Sequence, residues 1–483
     1  MRGIANQAAV LTISRLANYG LMIISPIVLV RFLTVTDFGR YREFLLYASL
    51  LQTVAAFAIS DSLLYFVPLY PAGVWQVLRQ TTILTAAISS AVVGVFIVVD
   101  LVVPGGLVGP YLLPVALYVL LYVNLDWWEN YWVAVRRPIP VFVYTAARLV
   151  ARMVVVVCAA VITRDVWVII WSLIALEALR LVGSFIAWHR AEGARFEADI
   201  TGITREQLRF CVPFGLAAVL GLLSRNLGNV AVVKYLGAAA LAQLAIGTYA
   251  EPIILAFRNS ISTVILPELV RRSGRSEAEA LELWQRTVVV NCLLLFPIAA
   301  VLAWYAEPLV VKAFGPNYRP AVPVLQLYAL VIMRSGFDFS PLLRAASNTR
   351  PFITTGVLAA LGTGLTLALL LPLYGVVGAA IALVVSSLIE GAYLGYSVER
   401  EYRCGLRRLI PWTAVAKIGM CAAAGAAIAF AVTSPARASF LGAVCGTILY
   451  GVVFAALLLA ARVDEATMLL RKLKGLAPAL RGR

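Results

Sequence analysis

The chain has 483 residues, of which 62% are hydrophobic and 13% charged, and its mean hydropathy is +0.91. Soluble domains are about 45–50% apolar and about 25% charged, so this composition excludes an ordinary soluble protein and predicts an all-α polytopic membrane protein. The formal net charge of +16 is typical of the basic cytoplasmic loops of such proteins, and we expect no nucleic acid partner.

Long apolar runs predict about fourteen transmembrane helices, each near the ~20 residues that cross a bilayer. The first run is too long for the apolar core of a signal peptide, and no small-residue cleavage site follows it, so no cleavable signal is expected. In chain order the runs cover residues 8–33, 42–67, 79–103, 111–135, 139–163, 166–188, 209–234, 241–268, 285–307, 322–344, 352–372, 375–398, 410–432 and 438–461.

The distribution of Lys and Arg predicts the orientation of these spans. If the N-terminus is cytoplasmic, the inside segments hold about 24 positive residues and the outside segments about 8. Cytoplasmic loops of membrane proteins carry the excess of Lys and Arg. We therefore expect both termini in the cytoplasm and an even number of spans, with which both twelve and fourteen agree.

Arginines recur far from the ends of these spans, where a charge costs about 2.5–3.5 kcal/mol or more. Tyr144, Arg148 and Arg152 are spaced by four and form one polar stripe on the fifth span. Arg148, Arg152 and Arg225 have no acid within reach on their own helix, so we predict that they line a cavity. Arg15 could instead lie at the inner interface. The predicted substrate-binding residues are Arg15, Arg148, Arg152, Arg225, Arg258 and Arg334.

Acidic residues lie at similar depths and have two interpretations. They could couple transport to H⁺ or Na⁺, or they could pair with the same arginines across helices. The spacings of Glu177 with Arg180 and of Arg334 with Asp338 favour ion pairs within one helix. The predicted candidates for ion coupling are Asp126, Glu129, Glu251 and Asp338.

Three pairs of short segments indicate an internal repeat. Residues 28–41 resemble 231–244, residues 109–114 resemble 315–320, and residues 134–142 resemble 347–355, at offsets of about 203, 206 and 213 residues. An even number of spans in each half makes the repeat parallel. We therefore predict an N-lobe of six helices (1–190), a cytoplasmic linker (191–208), a C-lobe of six helices (209–400), and two further helices with a basic cytoplasmic tail (401–483).

Motifs for catalysis and for metal binding are missing from the sequence. No GxxxxGK[ST], GxSxG or HExxH stretch occurs, and all predicted external connections are short, so we expect no enzyme. The six scattered cysteines form no CxxC motif and His189 is the single histidine, so we expect neither a metal site nor a disulfide framework. No cofactor is expected beyond H⁺ or Na⁺ coupling.

Two further segments have open interpretations. Tryptophans in "DWWENYW" (residues 126–132) could stack on sugars, although a packed interface between the lobes is favoured. The stretch at residues 271–286 mixes charges with Leu281, Leu283 and Trp284, and it could be an amphipathic helix on the membrane surface or a solvated loop.

The first span, with "SRLANYG" and "RFLTVTDFGRY", resembles the polysaccharide transporter family. So do "LVVKAFGPNYRPAVPVLQL" and the following "LLRAASNTRP". The family includes Wzx-type O-antigen and exopolysaccharide flippases of the multidrug/oligosaccharidyl-lipid/polysaccharide (MOP) superfamily. The resemblance implies two six-helix lobes in a V shape with two extra helices, and a cationic-cavity role for Arg15. It also implies transport of an undecaprenyl-diphosphate-linked glycan from the cytoplasmic to the periplasmic leaflet.

The sequence thus favours a lipid-linked oligosaccharide flippase in the bacterial inner membrane, working by alternating access of its lobes in O-antigen, exopolysaccharide or capsule synthesis. Its expected partners are the polyprenyl-diphosphate glycan and membrane lipid, with polymerase or chain-length proteins as candidates, and a monomer is expected. A cation-coupled multidrug exporter, a lipid II flippase and a scaffold protein of a glycan assembly complex remain as alternatives. Lipid II flippases usually carry an SRxxGxxRD pattern, whose second arginine and acid are missing in "SRLANYGLMI".

Overall fold

A computed structural model describes residues 24–192, 203–273, 276–346, 348, 350–433 and 440–461 of the chain. All regular elements in these ranges are helices, so the predicted all-α fold is confirmed. The chain divides into two compact units, Met1–Ala242 and Gln243–Arg483. The predicted binding residue Arg15 lies outside the described residues.

The described residues of the first unit form ten α-helices, the last of which continues into the second unit. They are α1 (residues 24–29), α2 (Val35–Ala56), α3 (Leu63–Leu69), α4 (Val74–Val102), α5 (Leu112–Val123), α6 (Trp128–Ala134), α7 (Pro138–Thr163), α8 (Val166–Glu192), α9 (Ile203–Leu236) and α10 (Ala238–Gly247).

The second unit continues with helices of similar length and two short connecting helices. They are α11 (Glu251–Ser273), α12 (Glu277–Trp304), α13 (Ala306–Phe314), α14 (Val322–Ser335), α15 (Ser340–Ala345), α16 (Arg350–Tyr374), α17 (Val376–Glu401), α18 (Leu406–Leu409), α19 (Trp412–Thr433) and α20 (Phe440–Ala460).

Local signals explain where several helices begin and end. Thr34 precedes α2, and its Oγ1 accepts a hydrogen bond from the backbone N–H of Asp37 at 3.1 Å, which satisfies one of the free donors of the first turn. Pro138 opens α7 at a position where a missing N–H costs nothing. Arg164 closes α7 in the left-handed conformation, with a φ of 53°, as is common just after a helix.

Each predicted span from the second to the fourteenth overlaps one helix or one broken pair of helices. By length and composition, ten helices of the described residues could cross a membrane, or eleven if the bent pair α2 and α3 is one span. The protein is therefore a multi-pass membrane protein, as predicted. The total of fourteen spans and the cytoplasmic location of the termini stay predictions.

Four of the predicted spans are broken rather than continuous. The breaks lie at residues 57–62, 124–127, 248–250 and 336–339. At the first, Phe57 and Ala58 adopt left-handed φ angles of 42° and 57°, and the axis bends by 51°. At the second, Leu125 has a φ of 54°. These residues are not glycines, so the sequence contains no turn signal that predicts them.

The breaks recur in equivalent spans of the two halves. They interrupt the second and fourth spans of the predicted N-lobe and the second and fourth spans of the predicted C-lobe. The step from residue 124 to residue 336 agrees with the offset of the third sequence match, whereas the step from residue 57 to residue 248 is shorter than the offset of any match. This pattern supports the predicted parallel repeat with an observation that is independent of the sequence motifs.

The two compact units divide after Ala242, later than the predicted linker at residues 191–208. α9 packs inside the first unit, where Gln207 Nε2 donates to Ser62 Oγ at 2.7 Å and to Thr81 Oγ1 at 2.9 Å. α9 therefore belongs to the first compact unit, whereas the predicted repeat assigns it to the C-lobe as its first helix. The predicted lobes stay a prediction that rests on the repeat.

The stretch at residues 271–286 is neither a surface helix of its own nor a solvated loop. Most of it belongs to the end of α11 and the start of α12. Trp284 is only 1% exposed, stacks on Phe339 at 5.2 Å, and donates from Nε1 to the carbonyl oxygen of Asp338 at 2.7 Å. Both sequence interpretations were wrong because Trp284 packs in the core of the second unit.

Candidate functional site

An arginine from a neighbouring helix holds the break in the fourth span. The last carbonyl groups of α5, which ends at Val123, have no partner within their helix. The Arg180 guanidinium on α8 donates to four carbonyl oxygens at 2.5–3.3 Å, those of Leu121, Tyr122, Asn124 and Leu125. Its Nε donates to Glu177 at 2.6 Å, which confirms the predicted pair. A cation suits this end of a helix dipole, so Arg180 caps α5 inside the span.

Arg148 forms an ion pair with the residue at the centre of this break. Its Nη1 donates to Asp126 Oδ1 at 2.5 Å, and its guanidinium carbon lies 4.3 Å from the centre of the Tyr122 ring. Its Nη2 is 3.8 Å from Glu177, too long for a hydrogen bond, and has no hydrogen-bond partner among the described residues. One donor of Arg148 therefore stays unused.

Arg152 lies one helical turn beyond Arg148 on α7. No hydrogen bond or ion pair joins it to another described residue, and its electrostatic neighbours include Tyr118, Tyr41 and Glu177. Residues four apart on a helix have Cβ atoms about 5–6 Å apart. The two guanidinium groups can therefore act on one ligand that carries two adjacent negative groups.

The charges of this cluster do not balance. Three arginines, Arg148, Arg152 and Arg180, face two carboxylates, Asp126 and Glu177. A charge in a low-dielectric interior is costly without a counter-charge. These five residues therefore carry one excess positive charge, and Arg152 is the arginine among them that forms no ion pair with a described residue.

A cavity of about 380 Å³ lies beside the Asp126 carboxylate, between the breaks of the second and fourth spans. Asn130 Nδ2 donates to Asp61 Oδ1 at 3.2 Å within it. Its lining comes from both breaks and from α9: Gln52, Thr53, Ala56, Ala58, Ser60, Asp61, Tyr122, Val123, Asp126, Glu129, Asn130 and Ala218. This part of the described structure thus presents three carboxylates and no arginine to the cavity, whereas the predicted cavity is lined by arginines.

A second charged group surrounds the break of the tenth span. Arg334 is 12% exposed, its Nη2 lies 3.9 Å from Glu390 Oε2, and its Nε is buried without a hydrogen-bond partner among the described residues. Arg258 is close enough to interact unfavourably with Arg334. Two arginines thus share this region of the second unit with Glu390, and their role in binding the substrate stays a prediction.

The predicted pair of Arg334 with Asp338 is wrong. α14 ends at Ser335, so the two residues are not on consecutive turns of one helix. Asp338 Oδ1 instead accepts a hydrogen bond from the backbone N–H of Ser340 at 3.1 Å, the local turn that aspartate favours. The acid nearest to Arg334 comes from α17 and could not be identified from spacing along the chain.

Gly391 makes room for Arg334. A Cβ atom at Gly391 would lie 2.6 Å from Arg334 Nε, whereas a Cβ at Gly356 on α16 would meet no atom within 4 Å. We expect Gly356→Ala to stabilise the protein by up to ~1 kcal/mol through helix propensity. In Gly391→Ala an overpacking cost of ~1–3 kcal/mol should cancel or exceed that gain. Thermal unfolding of the two purified variants checks this difference, and equal shifts in melting temperature would contradict it.

The remaining predicted residues are more dispersed. Arg225 is exposed on α9 and Glu129 is exposed at the cavity. Glu251 and Arg258, at the start of α11 and two turns later, both act electrostatically on Tyr328. Sequence reasoning missed Asp61, the pairing of Glu390 with Arg334 and the capping role of Arg180, and the only sequence signal for these residues is their depth within the spans.

Two of the three "DWWENYW" tryptophans pack in the core of the first unit, and Trp132 is partly buried against it. Trp127 is fully buried and Trp128 is 9% exposed, both in a cluster with Trp188. Trp127 Nε1 donates to Thr82 Oγ1 at 2.9 Å. Both rings therefore stabilise the first unit itself, and neither is free to stack on a sugar.

Comparison with known proteins identifies the fold. A family model described as "Polysaccharide biosynthesis protein" matches residues 140–323, which include α7 with Arg148 and Arg152. No curated protein sequence matches the chain. The lipid II flippase MurJ in an inward closed conformation is similar in structure, with a TM-score of 0.60 and 14% identity over 94% of this chain and 98% of that one.

Two multidrug transporters are also similar. An inward-facing MATE family transporter of the MOP superfamily gives a TM-score of 0.51 with 13% identity, over 81% of this chain and 99% of that one. A Vibrio cholerae MATE transporter gives 0.52 with 14% identity, over 83% and 96%. These matches show that the chain shares its fold with the MurJ flippase and with MATE transporters, as the resemblance of the sequence implied.

Proposed function

We propose that the protein is a flippase that moves an undecaprenyl-diphosphate-linked oligosaccharide from the cytoplasmic to the periplasmic leaflet by alternating access of its two lobes. The product would serve O-antigen, exopolysaccharide or capsule synthesis, and polymerase or chain-length proteins would be its partners. The family model for polysaccharide biosynthesis and the transporter fold support the class of activity.

The observation that carries the substrate assignment is the pair Arg148 and Arg152 on α7. A diphosphate presents two adjacent negative groups, and arginine binds phosphate oxygens with strong, often bidentate hydrogen bonds. Arg148 has an unused donor, and Arg152 forms no hydrogen bond or ion pair with a described residue. Two cations one turn apart therefore offer a ligand site of the right charge and spacing.

The membrane potential can supply a driving force. Moving one negative charge outward across 100 mV, inside negative, is favoured by ~2.3 kcal/mol. A diphosphate diester carries two such charges, so the potential alone could set the direction. Coupling to H⁺ or Na⁺ through Asp126, Glu129 or Glu251 is a further part of the proposal.

A deletion strain tests the substrate. We expect it to accumulate a polyprenyl-diphosphate-linked glycan in the cytoplasmic leaflet, detected by mass spectrometry of extracted lipids, and to lose the corresponding surface glycan. Restoring the gene should reverse both changes. A deletion strain with unchanged lipid-linked intermediates and an unchanged surface glycan would refute the proposal.

A cation-coupled multidrug exporter is the second candidate, and the acidic lining of the first-unit cavity favours it. Asp61, Asp126 and Glu129 are the residue type that binds organic cations. That function requires the deletion strain to become sensitive to cationic drugs, whereas a glycan flippase requires no such change. A drug panel on the same strain separates the two, and lipid II, the third candidate substrate, would appear as the accumulating lipid.

A further inference from the structure

The guanidinium group of Arg148 is only partly occupied by its partners in the structure. It donates to Asp126 at 2.5 Å, yet its Nη2 lacks a hydrogen-bond partner within the described residues. An aspartate satisfies one side of the guanidinium fork and leaves the other unused. A phosphate group could use the whole fork and could also reach Arg152, which Asp126 does not.

Asp126 would lose its main counter-charge when Arg148 turns to a phosphate. The groups that face Asp126 come from every neighbouring element: Tyr122 on α5, Tyr144 and Arg148 on α7, and Glu177 and Arg180 on α8. Arg180 is held by Glu177 and by the carbonyl groups of the broken span. Arg180 is thus held elsewhere, Arg152 is not among the charged neighbours of Asp126, and Glu177 repels a negative Asp126.

The cavity beside Asp126 supplies a route for neutralisation. Asp126 lines it and its side chain is 23% exposed, so solvent can deliver a proton to the carboxylate. A carboxylate that loses a nearby cation while remaining half-buried favours its neutral form. The other two acids of the lining, Asp61 and Glu129, add negative potential that works in the same direction.

We propose that Arg148 is a shared partner: a phosphate group of the substrate replaces Asp126 on its guanidinium, and Asp126 then takes up one proton from the cavity. The exchange breaks one ion pair and forms another, and the proton adds to an Asp126 oxygen as an O–H bond. It rests on the proposed function, because it requires a phosphate-bearing substrate. Substrate and proton then bind cooperatively, and by linkage each strengthens the binding of the other.

Calorimetry of the purified full-length protein tests the exchange. The probe is farnesyl-diphosphoryl-N-acetylglucosamine, a diphosphate diester whose own phosphates do not titrate near neutral pH. Titrations in buffers of different ionisation enthalpy give the number of protons taken up on binding. We expect close to one proton in the wild type and an affinity that rises as pH falls, by up to tenfold per pH unit.

Variants sharpen the result. Asp126→Asn should bind the probe more tightly than the wild type, by tenfold or more, without proton uptake, because Arg148 no longer has a competing carboxylate. Glu268→Gln, at an exposed pair with Arg271 and Arg272, is the matched control and should leave the uptake unchanged. The wild-type proton count stands by itself if Asp126→Asn fails to fold.

The contradicting outcomes are distinct. Binding by the wild type without proton uptake overturns the exchange but leaves the flippase proposal intact. If Asp126→Asn still takes up one proton on binding, the proton belongs to another group, and this result also overturns the exchange at Asp126. An affinity that follows Na⁺ at constant pH, not pH itself, replaces the proton with a sodium ion and overturns the proposal as stated. No binding of the probe at all refutes the proposed function together with this inference.

Discussion

Arg152→Ala should abolish glycan export while the protein stays folded in the membrane. A charge-assisted hydrogen bond contributes about 1.5–3 kcal/mol, so losing the contact of Arg152 with a diphosphate should weaken substrate binding by about 10- to 100-fold. Stability should not fall, because no ion pair of Arg152 to the described residues is broken. Complementation of a deletion strain, with the amount of membrane-inserted protein measured in parallel, checks both expectations.

Two further variants separate the role of the charge from that of the geometry. Arg152→Lys keeps the positive charge without the guanidinium fork, so it should retain part of the export. Arg148→Ala should lose export and stability together, because it leaves Asp126 without its partner. Full complementation by Arg152→Ala would remove the observation on which the substrate assignment depends.

Arg180→Ala should destabilise the first unit more than any other single arginine replacement in this cluster. It removes the cap from four carbonyl groups and the hydrogen-bonded partner of Glu177, which is 5% exposed and then keeps only the 3.8 Å contact with Arg148. Breaking such a buried pair costs ~3–5 kcal/mol. The loss of stability is measured as the temperature at which the purified protein unfolds, monitored by size-exclusion chromatography of heated samples.

Arg271→Ala provides the comparison. Arg271 also pairs with a glutamate three residues away, Glu268, but its side chain is 62% exposed, and such surface pairs contribute about 0–1 kcal/mol. In addition, adding Glu177→Gln to Arg180→Ala should recover part of the lost stability, because it removes the buried negative charge that Arg180 no longer balances. If the Arg180→Ala and Arg271→Ala proteins have the same melting temperature, Arg180 does not stabilise the break in the fourth span.

The spans could be predicted from the sequence because the length of an apolar segment is a local property of the chain. Eleven of the predicted spans coincide with long apolar helices or with the bent helix pair in the described residues, and α7 was located to within one residue at its start. The breaks could not be predicted, because Phe57, Ala58 and Leu125 carry no preference for a left-handed φ. Their conformation depends on partners from distant helices, such as Arg180 for the break at Leu125.

Depth within a span identified charged residues that the structure places close together, whereas spacing along the chain was a poorer guide to their partners. Arg148, Arg152 and Asp126 were singled out because a charge far inside a span needs a function or a partner, and the structure brings them together. Spacing along one helix identified Glu177 with Arg180 correctly and failed for Arg334, whose nearest acid is Glu390 on α17. Partner choice across helices depends on packing, which a single sequence does not contain.

The most direct measurement of the central claim is translocation of a lipid-linked glycan by the protein alone. Purified protein in liposomes should move a fluorescent polyprenyl-diphosphate-linked sugar between leaflets faster than protein-free liposomes do, as followed by quenching from the outside. Liposomes with Arg152→Ala should behave like protein-free ones. Equal rates for wild-type and protein-free liposomes, or for wild type and Arg152→Ala, would contradict the account.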